Sequence, residues 1–441
     1  MARTRHVIVG GGTAGMNAIT TIRQYDRGAS EIVLVSAERP YARMVLPYYL
    51  KGTISESHVY TAPPTRLREL DVQTYFGRHA AKLDTRAKIL TLDDETEIPY
   101  DDLLIATGSS PVRPPIAGAD GQGIHGFWTL EQAQGVIREI RDGCHVVMVG
   151  AGFIAFTILN AILSQGAKLT VVEIAPQILP RMIDQEGAAL VETWLRDRGV
   201  TIHTSAQLTA IEDADGQKRL RLQASDDLLA DLVIMATGIR TNLDWLDGSG
   251  IEINRGIVVD EHLRSNAPDV YAAGDVAEGR DLVTGEPALH AIEPTAMEHG
   301  RVVGANMAGQ PLAYRGSLLM NIVEVLDLDI ASFGVWDDPQ AEVFSALKPE
   351  RPAYRKMLWR GNRITGAMIL GRSQDVWTTN DVGMLKGLVQ SGVDLGDWKS
   401  YLRQHLFEIK RAYITSGTTA QLLPQTVQGR PSVPAATVSA G

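Results

Sequence analysis

Cysteine is nearly absent from this chain: Cys144 is the single one in 441 residues. One thiol cannot close an intramolecular disulfide, form a CxxC redox pair or build a cysteine-ligated metal or iron–sulfur site; no metal site of another kind is expected within the chain either. Lysine and arginine form no run, and the formal charge is −10. That balance argues against nucleic acid and anionic membrane as main partners. A leader is not evident either, because "MARTRHVIVGGG" enters a strand almost at once; a cytoplasmic location is expected. Long apolar runs are scarce. The one that approaches the roughly 20 residues of a membrane span, Val146 to Leu163, is interrupted by Gly150-Ala151-Gly152, which divides it into a buried strand and a buried helix.

What remains is 44% hydrophobic and 21% charged, the profile of a globular enzyme. The length allows two or three packed units. Along it the same grammar of strand, glycine turn and helix occurs twice. "HVIVGGGTAG" supplies Gly10, Gly12 and Gly15, and "VVMVGAGFIA" supplies Gly150, Gly152 and Ala155, with Phe153 opening the second helix. In each case a second strand ends near an acid, Glu38 or Glu173. The first glycine permits the tight turn, the second lets backbone approach a pyrophosphate, and the third, or an alanine, permits close helix packing. Phosphate then meets the helix N-terminus, while the acid accepts bonds from ribose hydroxyls. A carboxylate in this place would repel a 2′-phosphate, so Glu173 favours NAD over NADP.

Two further strands end alike, at Thr107-Gly108 and Thr237-Gly238, and read as the returns of the chain beneath each nucleotide. "NAPDVYAAGDVAEG" then sets Asp275 after Ala272, Ala273 and Gly274; the small residues allow a cofactor to lie against backbone, and the acid can accept bonds from a polyol or cap the next turn. A helix is expected from "EPTAMEHGRVVGANMAG", with Pro294 in its first turn and Thr295 behind it. Its positive end suits developing negative charge. From about Arg315 the pattern becomes β-rich, with a turn at Gly361-Asn362 and helical periods in "TNDVGMLKGLVQSG" and "LGDWKSYLRQHL". The last residues, from 413 to 441, carry Thr, Ser, Pro and Ala without a period and read as an extended tail, a candidate contact surface for a partner.

Together, both glycine motifs, both Thr-Gly strand ends and the Ala-Gly-Asp motif, in this order over roughly residues 5 to 400, resemble the pyridine-nucleotide-dependent FAD reductases. The resemblance implies an α/β fold of two interleaved Rossmann-like dinucleotide-binding domains plus a C-terminal α+β interface domain: 1–117 with 245–314 for FAD, 118–244 for NAD(H) and 315–412 for the interface. It implies FAD on Gly10, Gly12, Gly15, Glu38, Arg43, Ala81, Thr107, Gly108, Gly274, Asp275, Pro294 and Thr295. NAD(H) falls on Gly150, Gly152, Phe153, Ala155, Thr157, Glu173 and Gly238. The implied reaction is hydride transfer between nicotinamide and flavin. Flavin-face candidates are Arg43, Met44, Pro47 and Tyr48, from "YARMVLPYYLKG".

That stretch resembles two branches of the family. In the coenzyme A disulfide reductase branch a redox cysteine precedes a similar "LPYY", and Met44 stands in its place. The rubredoxin and ferredoxin reductase branch has no cysteine there and shares Arg43 and Leu46, although Pro47 and Tyr48 replace its serine and lysine. "GSLLMNIVEVLDLDIASFG" also resembles flavoproteins associated with nitrite reductases and multi-subunit iron–sulfur enzymes. Thr157 occupies a position where relatives place a glutamate near the nicotinamide. A thioether forms no thiolate, so disulfide exchange and thiol peroxidase chemistry are not expected. The expectation is a flavoprotein exchanging electrons with an iron–sulfur protein or subunit, within an oligomer or multi-subunit complex. The alternatives are a reductase of oxygen or another small acceptor acting alone, and a docking flavoprotein without turnover.

Overall fold

A computed structural model describes residues 3–223 and 226–422. The apolar run Arg5–Val9 lies at the centre of a five-stranded parallel sheet whose order is Val270–Ala272, Asp102–Ile105, Arg5–Val9, Glu31–Ser36 and Val72–Phe76. The apolar residues of its strands Arg5–Val9 and Glu31–Ser36 are buried on both faces, as continuous Val/Ile/Leu sequences require. The run Val146 to Leu163 does divide as its glycines demand. Strand His145–Val149 is the centre of a second parallel sheet, ordered Thr201–His203, Lys168–Val172, His145–Val149, Leu232–Met235 and Ile124–Gly126, and helix Phe153–Ser164 follows it. Among the described residues no helix is long and apolar enough to cross a membrane.

The two sheets have the same construction, and each unit carries a small three-stranded antiparallel sheet ahead of its Thr-Gly strand. They are joined by a pair of crossing strands, Ser109–Pro111 and Ile239–Thr241. The clamp is reciprocal. Thr107 donates its hydroxyl to the Asn242 carbonyl at 2.9 Å and Thr237 donates its own to the Val112 carbonyl at 2.8 Å. The return of the chain to the first unit is visible in Val270–Ala272, which pairs with Asp102–Ile105.

Helix Glu293–Met307 begins one residue before Pro294 and packs along helix Thr13–Asp26 through two glycines. A Cβ on Gly300 would stand 2.3 Å from the Ala14 carbonyl oxygen, and one on Gly304 2.6 Å from that of Ala18. Only a missing side chain lets these helices touch.

Five antiparallel strands, ordered Met320–Val325, Leu328–Gly334, Arg363–Arg372, Ala353–Arg360 and Glu342–Lys348, form the C-terminal sheet. Its hairpin turns at Gly361-Asn362, where Arg360 faces Arg363. Helices Val376–Ser391 and Trp398–Gln404 follow. The extended tail expected from residue 413 is corrected over its first part: helices Ile409–Thr415 and Thr418–Gln421 occupy it. The reason is packing. Gly387 leaves room for Tyr413 and Leu422, whose atoms would lie 2.8 and 3.0 Å from a Cβ placed there, and such burial outweighs the poor helix propensity of Thr and Ser. The remainder of that expected tail, 423–441, lies outside the described residues.

The helix contact yields a direct test. Gly300→Ala forces two backbones apart and is expected to cost about 1–3 kcal/mol, seen as a lower urea midpoint. Gly383→Ala, on an exposed helical position with open space around it, is expected to stabilise by about 0.5–1 kcal/mol.

Candidate functional site

The first glycine turn is built by exclusion. Gly10 has φ +115° and a Cβ there would lie 2.0 Å from the Ala106 carbonyl oxygen, so neither the conformation nor the space admits another residue. A Cβ on Gly15 would lie 2.0 Å from the Gly10 carbonyl oxygen, which seats the helix on the turn. Gly12 differs: nothing lies within 4 Å of its would-be Cβ. It is the N-cap of helix Thr13–Asp26, which has no capping side chain and no acid in its first turn. An uncapped helix start beside open space is a seat for an anion.

The second turn repeats this. Gly150 has φ +101° and would place a Cβ 2.3 Å from the Ala236 carbonyl oxygen, whereas Gly152 faces open space. Helix Phe153–Ser164 likewise lacks a capping side chain and an acid in its first turn. Ala155 is buried against this turn's sheet, and Thr157 spends its hydroxyl on the Ile154 carbonyl at 2.7 Å.

The two acids behave differently. Glu38 accepts the Tyr41 hydroxyl at 3.1 Å and pairs with Arg43 at 3.5 Å. The Tyr41 hydroxyl in turn accepts from the Leu130 backbone N–H at 3.2 Å; burial, with Glu38 adding to it, pushes this phenol up to about 12. Glu173 is turned inward. It accepts the Ala151 N–H at 2.6 Å and the Ala175 N–H at 2.8 Å, bracing the glycine turn. Each of its oxygens retains a further lone pair for a ribose hydroxyl.

Asp275 follows Gly274, which has φ +74° and donates its N–H to the buried His299 Nδ1 at 3.2 Å. The Ser109 hydroxyl donates to Asp275 at 2.6 Å, and Trp128 donates its indole N–H to the Ser109 carbonyl at 2.7 Å. Arg43 lies over the Trp128 ring at 5.1 Å. Tyr41, Trp128, Ser109 and His299 thus join the candidates although sequence reasoning passed over them. Tyr41 had a signal, since it opens the stretch that carries Arg43; His299 had none. Pro294 is exposed and Thr295 buried at the start of their helix, and Glu293 stands 3.5 Å from the Thr13 hydroxyl. Burial raises the Glu293 carboxyl, which holds it nearer its neutral form beside the first anion seat. Gly108 and Gly238 sit at the crossing strands with positive φ. Ala81 is exposed on strand Ala80–Asp84 of a small antiparallel sheet.

The stretch Tyr41–Gly52 folds as a short 3₁₀ turn, Arg43–Val45, and a helical turn, Leu46–Lys51, with Pro47 in its first positions. Leu46 and Leu50 are buried in the core shared with the second unit, while Met44 and Tyr48, four residues apart, are exposed by 49% and 58%. Cys144 precedes the strand His145–Val149, whose far end carries Gly150. It is buried and lies about 20 Å of strand from the turn. Among the described residues no cluster of three or more His, Cys, Asp or Glu is set to hold a metal ion.

Both seats fit a dinucleotide on geometry alone: an open, uncapped helix start, a turn that only glycine can make, and an acid beside it. The model of the pyridine nucleotide-disulphide oxidoreductases matches residues 4–298. Subunit epsilon of an NADH-dependent phenylglyoxylate dehydrogenase from Aromatoleum evansii is 31% identical, over 81% of this chain and 85% of its own length. An assimilatory nitrate reductase electron transfer subunit from Bacillus subtilis is 27% identical over 85% of this chain, which spans 48% of that relative's length. Among solved structures, a NAD-dependent persulfide reductase from A. fulgidus superposes with a TM-score of 0.82 at 28% identity, covering 89% of this chain and 78% of the other.

Gly12→Ala and Gly152→Ala are expected to fold as the wild type does but to weaken FAD and NADH binding respectively by about tenfold or more, equivalent to about 1.4 kcal/mol. Gly10→Ala is expected to fail in folding instead. Melting curves, the flavin content of the purified protein and NADH titration separate the three.

Proposed function

The chain belongs to the pyridine nucleotide-disulphide oxidoreductase family, and from that premise we propose that it is the flavoprotein of an electron-transfer pair, exchanging hydride between NAD(H) and FAD and passing electrons to or from an iron–sulfur protein or subunit. Members of the family are FAD-dependent NAD(P)H oxidoreductases, and FAD and NAD(H) are their cofactors. The observation that carries the proposal is the missing thiol. Met44 occupies the segment where a redox cysteine would stand, and the single cysteine is buried at the opposite end of a strand.

FAD, when bound, supplies acceptance of a two-electron hydride and release of single electrons. The chain's own residues bind and orient. Gly10, Gly12 and Gly15 would seat the first pyrophosphate, with Glu38 for its ribose; Asp275, positioned by Ser109, would hold the polyol; Pro294 and Thr295 would offer the helix start to the pyrimidine, and Gly108 and Ala81 complete the candidate set. Gly150, Gly152, Phe153 and Ala155 seat the second nucleotide, with Glu173 at its ribose and Thr157 and Gly238 toward the nicotinamide. Thr107 serves the crossing strands through Asn242 and acts on the cofactor only by placing Gly108. Arg43, Met44, Pro47 and Tyr48 would flank the flavin without taking part in covalent chemistry.

A one-electron acceptor suits such a site because no dithiol stands between flavin and partner. The names of the relatives, an electron transfer subunit and a dehydrogenase subunit, support a subunit role. An NADH oxidase from Methanocaldococcus jannaschii that is 32% identical over 75% of this chain supports the second reading, direct reduction of a small acceptor.

The purified protein is expected to be yellow, to bleach on anaerobic mixing with NADH, and to reduce ferricyanide or an iron–sulfur carrier far faster than oxygen. Met44→Ala should retain that bleaching, with flavin affinity lowered by less than about tenfold. Rapid oxygen consumption by the isolated chain would favour the second reading, and FAD that is bound but never bleached by NADH would leave a docking role.

A further inference from the structure

The turn that carries Asp275 begins with a backbone donor that its own helix cannot satisfy. Gly274 opens the short 3₁₀ helix Gly274–Val276 and is buried, and the first N–H groups of a helix have no partner inside it. The turn is wedged between two helices: a Cβ on Gly274 would lie 3.2 Å from the Cβ of Ala14 and 3.6 Å from that of Ala296. A buried N–H has to find an acceptor. The one it finds is 25 residues away along the chain, Nδ1 of His299 at 3.2 Å.

His299 is 1% exposed. Burial, with His290 adding to it, pushes its imidazole down to about 3, so the ring is neutral. A neutral ring that accepts at Nδ1 carries its proton on Nε2. That Nε2 is buried and has no hydrogen-bond partner among the described residues, and a buried donor left unmatched is destabilising. An aliphatic side chain would fill the space without this cost, so what histidine offers here is the Nδ1 lone pair. The Tyr314 ring packs against the imidazole at 85°, with centroids 4.6 Å apart, and restrains its plane. His299 also lies four residues after Thr295 on helix Glu293–Met307, a spacing that puts both on one face. The hydrogen bond therefore ties the Asp275 turn to the helix whose first turn carries Pro294 and Thr295. Ser109 holds the Asp275 carboxylate; His299 holds the backbone one residue before it.

We propose that His299 is a positioning residue for the flavin: in its Nε2–H tautomer it accepts the Gly274 N–H and so holds the Asp275 turn in register with the start of helix Glu293–Met307. This role rests on the site being a FAD seat, and under it FAD affinity depends on an acceptor at the Nδ1 position rather than on the bulk of the side chain.

Three full-length variants separate acceptor from bulk. His299→Asn puts an amide oxygen on Cγ, where Nδ1 stands; His299→Gln carries its oxygen one bond further out, and His299→Leu fills the space with no acceptor. FAD is titrated into the flavin-depleted wild type and variants and followed by fluorescence. His299→Asn is expected to bind FAD within about threefold of the wild type, and His299→Gln and His299→Leu more weakly by about tenfold or more, with NAD⁺ affinity by calorimetry unchanged in all three. A histidine needed only for its bulk would give the reverse order, with His299→Leu holding FAD and His299→Asn losing it, and that result would overturn the inference. So would a His299→Leu or His299→Gln protein that binds FAD as tightly as the wild type. Nitrogen NMR of the histidine-labelled wild-type holoprotein is expected to find His299 in the Nε2–H tautomer; an Nδ1–H tautomer or an imidazolium would overturn the inference whether or not the variants fold. A wild type that binds no FAD at all would instead overturn the functional reading, and this role with it.

Discussion

At two places in this molecule the backbone of a glycine turn runs so close to the end of a neighbouring strand that a β-carbon would overlap a carbonyl oxygen: Gly10 against Ala106 and Gly150 against Ala236, at 2.0 and 2.3 Å. The rest of the site depends on these contacts. They hold each turn down on its sheet, so that the next glycine, Gly12 or Gly152, looks into open space at the start of a helix with no capping side chain. They also fix the strand ends Thr107-Gly108 and Thr237-Gly238, whose threonines tie the crossing strands reciprocally. A close approach that serves the nucleotide seat therefore also sets how the two units are joined.

The stretch from Tyr41 to Gly52 lies across that junction. Its buried leucines belong to the core of the second unit, and Tyr41 links Glu38 of the first unit to the backbone at Leu130. With Met44 where a thiol would stand, this segment is a wall rather than a relay. On the proposed reading, the flavin seat is then the place where electron pairs are received and single electrons released, and the acidic chain meets its acceptor at a surface.

Much of this was legible in the sequence, because glycine with positive φ and β-rich runs buried on both faces leave a local signature. Both glycine turns, both Thr-Gly strand ends, the Ala-Gly-Asp loop and the hairpin at Gly361-Asn362 are of this kind. What was not legible involves partners far apart in the chain. Ser109 and Asp275 are separated by 166 residues, Thr107 and Asn242 by 135, and no periodicity points from one to the other. Glu173 was legible as an acid at a strand end, but its inward turn onto Ala151 was not, since the side-chain direction depends on the turn it braces. The helices over 409–421 went unread for a similar reason: Tyr413 and Leu422 find their place only because Gly387, on another helix, leaves one.

The central claim is that flavin is the sole redox centre this chain carries, and counting electrons tests it most directly. In an anaerobic reductive titration of the purified FAD-loaded protein, followed by flavin absorbance, the account predicts uptake of two electrons per chain with no thiol released on reduction. Uptake of four electrons per chain, or a long-wavelength charge-transfer band that vanishes on alkylation of a thiol, would contradict it.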